Sequence, residues 1–141
     1  MTADALFQYS SPLAMLGWLA LALSPLAPRL AQIVAAATIP LLLSLAYTGL
    51  ILAFWWEAPG GFSSLAEVQA LFTHPEIALA GWLHYLAFDL FVGAWITRTA
   101  AAERIAHWMI LPCLVLTFLF GPAGLFAFAI LRFTLTRKVL P

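Results

Sequence analysis

The residues best suited to chemistry lie in one apolar stretch, Gly81-Trp82-Leu83-His84-Tyr85-Leu86-Ala87-Phe88-Asp89-Leu90-Phe91-Val92-Gly93. If the stretch belongs to a helical span that starts near Ile77, Asp89 lies about 18 Å below that start at the usual rise per residue. That places a carboxyl near the centre of any bilayer the helix crosses. Such a group costs roughly 2.5–3.5 kcal/mol on insertion scales, so a chain keeps it where it has a partner or a wet cavity. An acid that exchanges its proton can serve as a general acid in one form and a general base in the other. At about 100° per residue, Trp82, Tyr85 and Asp89 share one face, followed by Val92, Gly93 and Ile96. His84 lies about 140° round from Asp89, on a stripe with Phe88, Phe91 and Trp95. The two are therefore not a simple intrahelical dyad, although they could border one cavity between neighbouring helices. Pro122 has no N–H and frees the carbonyl of Phe118. That carbonyl and Thr117 are candidate acceptors for Asp89, and Ser44, Tyr47 and Thr48 are further polar neighbours. The rival reading of Asp89 is a purely structural hydrogen-bonder that holds helices together for roughly 0.6–2 kcal/mol.

The elements that would position these residues are apolar and long. Hydrophobic residues make up 65% of the 141 and charged residues only 9%, against about a quarter charged in soluble domains. Lipid must therefore be the main solvent. Spans are expected over 6–24, 30–56, 77–97 and 107–131. Pro25 and Pro28 close the first, and Pro40 is placed to kink the second. The Pro59-Gly60-Gly61 cluster is a turn signal. Ser64-Leu65-Ala66-Glu67 fits a capping box that starts a short interfacial helix to Phe72. Gly121-Pro122 interrupts the last run. Its halves are too short to cross separately, so 107–131 reads as one broken or kinked span. Open sheets cannot satisfy their backbone in lipid, and the apolar runs do not alternate as barrel strands do. The expectation is an all-α integral membrane bundle of four transmembrane helices, one domain over residues 1–141. The N-terminus has Asp4 and no basic residue before its apolar run, so it reads as a retained span rather than a secretory signal.

Other classes fall away. Six basic and six acidic residues balance, and no basic tract or glycine-rich loop suggests nucleic acid or nucleotide binding. Cys113 is the single cysteine and reads as a packed, inert thiol. His74, His84 and His107 are too scattered for a metal site, and no cofactor is expected. Arg29, Arg98 and Arg104 favour loops one and three in the cytoplasm, because loop two carries only Glu57, Glu67 and Glu76. Four spans would then put both termini outside, against which the tail cations Arg132, Arg137 and Lys138 argue.

Trp82, His84, Asp89, Leu90 and Phe91, together with Phe120, Gly121, Pro122, Gly124 and Leu125, form two patterns: W-x-H, with D-L-F following, and F-G-P-x-G-L. On these, the chain resembles the plant neoxanthin-synthase-like membrane proteins of the abscisic-acid-deficient-four type. The likeness is best over the last two spans. It implies a reaction that opens a carotenoid epoxide and removes a proton to give an allene, with an acid at the oxygen and a base at carbon. Asp89 and His84 carry over as the candidate pair, with Tyr85 as a hydrogen-bond donor. Trp82, Phe88, Phe91, Thr117 and Phe118 are the candidate substrate-binding residues. The expected protein acts on or binds a lipophilic isoprenoid in a bacterial inner membrane, contacts membrane lipids, and forms a homo-oligomer if it oligomerises. Rival readings are a non-enzymatic pigment- or lipid-binding accessory protein and a small proton-linked transporter.

Overall fold

A computed structural model describes residues 3–137, and the tail cation Lys138 lies outside them. The described residues are helical with short connections. In chain order the helices are α1 (Ala3–Ala22), α2 (Pro28–Phe54), α3 (Leu65–Leu71), α4 (Pro75–Ala102), α5 (His107–Phe120) and α6 (Pro122–Thr136). Proline occupies the first turn of α2, α4 and α6, where its missing N–H costs nothing and its fixed φ suits the helix. A π-helical segment, Ile33–Thr38, lies within α2 just before Pro40.

Three helices, α1, α2 and α4, are long and apolar enough to cross a membrane. α4 is the hub: 56% of its most apolar window is buried within the protein, against 22% for α1 and 17% for α2. α1 lies close along it, with Trp18 over Gly93 and Gly17 against Leu90. Small residues let membrane helices approach in this way. Leu21, Leu83, Leu90, Ile96, Ile110 and Phe128 are fully enclosed. The outward faces carry Leu30, Leu41, Leu45, Leu52 and Phe126, all exposed, as lipid contact requires.

The final apolar run differs from the expected single broken span. α5 and α6 do not stack end to end. They fold back on each other as a hairpin whose tip is Gly121. Gly121 has φ +46° and ψ −96°, a reversal that a Cβ would oppose. Pro122 then opens a new helix. A Cβ at Gly124 would collide with the backbone and hydroxyl of Thr117, seven residues earlier, whereas in a continuous helix those positions are about 10 Å apart. Two contacts show that α6 returns toward the start of α5. Phe128 meets Trp95 edge-on at 5.6 Å, and Arg132 forms a two-pronged pair with Glu103, at 2.8 and 2.6 Å. At 14 and 15 residues, each arm is about 21–23 Å long, well short of a hydrocarbon core of about 30 Å.

The short helix after the second span is present. Ser64 caps it by accepting from the Glu67 N–H at 3.2 Å. The reciprocal arm departs from a standard capping box, because the Glu67 carboxylate accepts from Ser63 N–H at 3.1 Å rather than from Ser64.

Candidate functional site

Asp89 sits in the middle of α4, and the hairpin brings Gly121 to it. A Cβ on Gly121 would lie 2.6 Å from Oδ1 and 3.1 Å from Oδ2 of Asp89. The carboxyl is thus packed against the bare backbone of the hairpin tip. Its Oδ2 is buried and has no hydrogen-bond partner among the described residues. Buried polar atoms are nearly always paired, and an unpaired one in a native fold calls for an explanation.

Tyr85, one turn earlier on the same face, lies close enough to Asp89 for the two side chains to interact. Its hydroxyl donates to the Phe118 carbonyl at 3.0 Å. That carbonyl is the one Pro122 leaves without its helical donor. Sequence reasoning offered it to Asp89; in the structure Tyr85 takes it. Thr117 is fully buried but donates within its own helix, to Cys113 O at 2.8 Å, so its hydroxyl proton is not directed at Asp89. Cys113 is a buried free thiol in the core.

Beside Tyr85 is a cleft of about 270 Å³ between α1, α4 and α5, lined by Ser11, Met15, Trp82, Tyr85, Phe118 and Leu119. Trp82 stacks on Tyr85 at 5.4 Å between ring centroids and donates from its indole to Ser11 Oγ at 3.3 Å. Phe118 is held edge-on against Trp18 at 5.6 Å. Trp82, Tyr85 and Phe118 are therefore brought together next to Asp89. Ser11 and Met15 were missed, because nothing in their local sequence says that α1 faces Trp82.

Three candidates lie elsewhere. His84 is exposed on the far side of α4, stacked on Phe88 at 4.5 Å and 5.9 Å from the Tyr47 ring. Phe88 is 56% exposed and Phe91 47%, so neither lines the cleft by Tyr85. The helical wheel foretold the division: these residues occupy the other stripe. Of the α2 hydroxyl residues, Tyr47 packs beside His84 rather than Asp89, and Thr48 donates to Ser44 O within its helix. No group of three or more His, Cys, Asp or Glu among the described residues is placed to hold a metal.

The profile of the ABA DEFICIENT 4-like family matches residues 5–128 of the chain. No curated protein and no solved structure matches it.

Proposed function

The chain belongs to the ABA DEFICIENT 4-like family, and from that premise we propose a membrane protein that binds a lipophilic isoprenoid and isomerises it by acid–base chemistry at Asp89 and Tyr85. The observation that carries the reading is the buried, unpaired Oδ2 of Asp89 at the tip of a hairpin. A proton-exchanging carboxyl held against bare backbone, one helical turn from a tyrosine and a small apolar cleft, is what ring-proximal proton transfer needs.

For an epoxy-carotenoid, the oxygen takes a proton as its C–O bond breaks. A neighbouring carbon loses a proton, and the electron pair forms the new double bond of the allene. Nothing is gained or lost overall, so no cofactor is required. Asp89 and Tyr85 share this transfer, and His84 has no part in it because it faces away from the cleft. At about 270 Å³, the cleft lies just below the usual range for small-molecule pockets, roughly 300–1,000 Å³. It suits one cyclic end group, with the polyene left between lipid chains.

In this reading α1, α2 and α4 cross the bilayer, α3 rests at its surface, and the α5–α6 hairpin enters from one side and returns. Non-helical backbone at mid-membrane is tolerated where it is enclosed by protein, and Gly121 is buried. The test is Asp89→Asn expressed in a host that makes epoxy-carotenoids. Pigment conversion should fall by about 10²–10⁴-fold, the usual contribution of a general acid–base group. Unchanged turnover would remove Asp89 from the chemistry, and a bound but unaltered carotenoid in the purified wild type would reduce the role to binding.

A further inference from the structure

At the other end of the molecule from Trp82, where the first turn meets the turn between α4 and α5, lies a larger cavity of about 690 Å³. It is independent of Asp89 and shares no lining residue with the cleft beside Tyr85. Its walls are mostly apolar, with Ile33, Ile105 and Ile110 among them, while its mouth carries Arg29, Arg98 and His107. No acidic side chain lines it.

The cationic groups are arranged rather than scattered. Gln32 donates to the Ala94 carbonyl at 3.0 Å and accepts from Arg98 at 3.1 Å. One amide therefore anchors the Arg98 guanidinium, leaving its other donors for a ligand. Arg29 lies three residues before Gln32, on the same face of α2, and its exposed side chain has no hydrogen-bond or ion-pair partner among the described residues. His107 is 2.9 Å from the Ala22 carbonyl through Nε2. A carbonyl only accepts, so Nε2 carries the proton, and this bond ties the start of α5 to the end of α1.

We propose that this cavity is a binding site for an anionic phospholipid, its phosphate held between Arg29 and Arg98 and its acyl chain laid along the isoleucine wall. Charge complementarity identifies the headgroup. The apolar lining, continuous with lipid-facing helices, identifies a lipid rather than a soluble anion.

The test uses the full chain in mixed micelles of equal phosphatidylglycerol and phosphatidylcholine, with bound lipid counted by native mass spectrometry. The wild type should retain phosphatidylglycerol preferentially. Each arginine is expected to contribute about fivefold, the ratio equivalent to ~1 kcal/mol. The preference should vanish in the Arg29→Gln/Arg98→Gln double variant and persist in Arg137→Gln and in Asp89→Asn. Ala101→Phe, which fills the cavity while keeping both arginines, should also abolish it and serves if the double variant does not fold. Equal retention of the two lipids by the wild type would overturn the proposal. So would an equal loss in Arg137→Gln, or displacement of phosphatidylglycerol by millimolar inorganic phosphate, which would assign the site to a free anion.

Discussion

Gly121 does two things with one missing side chain. Its positive φ lets the chain reverse, and its bare Cα leaves room for the Asp89 carboxyl. Gly121→Ala imposes a left-handed conformation that costs an L-residue roughly 1–2 kcal/mol, and it drives a methyl into that carboxyl. The expected result is a lower melting midpoint in detergent together with loss of pigment conversion; an alanine variant as active as wild type would show that the contact between tip and carboxyl is dispensable. Tyr85→Phe is milder. It removes the donor to the Phe118 carbonyl, a bond of about 0.6 kcal/mol by the average for membrane interiors, so the fold should hold. Turnover should nevertheless drop by about tenfold or more if the hydroxyl relays a proton, which an in vivo pigment assay would show. Asp89 was legible as the centre of the candidate site because a carboxyl is so costly in an apolar run. Its neighbour at the tip was not, since the sequence marks Gly121-Pro122 as a break without giving the direction the chain takes after it.

At the scale of elements, the turn and capping signals around Pro59-Gly60-Gly61 and Ser64 read well, and the prolines less so. Ser64 caps the short helix as the sequence suggested, whereas Pro28, expected to close the first span, instead opens α2, and Pro75 and Pro122 open α4 and α6. Ser64→Ala should cost about 1 kcal/mol of local helix stability, seen as faster amide exchange at Glu67, with pigment chemistry unaffected. What could not be read was the hairpin. A kinked span and a reversal have the same hydropathy, and the reversal is decided by contacts far apart in sequence: Gly124 on Thr117, Phe128 on Trp95 and Arg132 on Glu103. Arg132 illustrates the difficulty. In the sequence it is one of three tail cations. In the structure it is only 3% exposed and committed to Glu103, so it clamps α6 to the turn where α5 begins.

For the whole molecule, the hairpin removes the conflict in charge placement. Because α6 returns to the end where α5 starts, Arg132 and Arg137 join Arg29, Arg98 and Arg104 at one end, while Glu57, Glu67 and Glu76 occupy the opposite end around α3 and the start of α4. The positive-inside tendency then points one way. A fluorescent protein fused to the C-terminus should be folded and bright in the cytoplasm, with the N-terminus on the other side. Phosphatase activity from a C-terminal fusion on the outer face would sink this arrangement and restore an even number of crossings. Little of α1 or α2 is enclosed by the rest of the protein, and their outward faces are apolar and exposed, in line with the apolar composition.

A hairpin that stops halfway leaves the bundle unequal across its thickness. On the side of the arms, α4 is flanked by α5 and α6; beyond Gly121 the cleft beside Trp82 and Tyr85 opens between α1, α4 and the end of α5. In the proposed membrane arrangement, molecules dissolved in the monolayer on the side of the cleft would reach Tyr85 directly, while those in the other would meet the hairpin arms first. A membrane-dissolved ligand would have to reside in, or flip into, the monolayer on the acidic side before the protein could engage it.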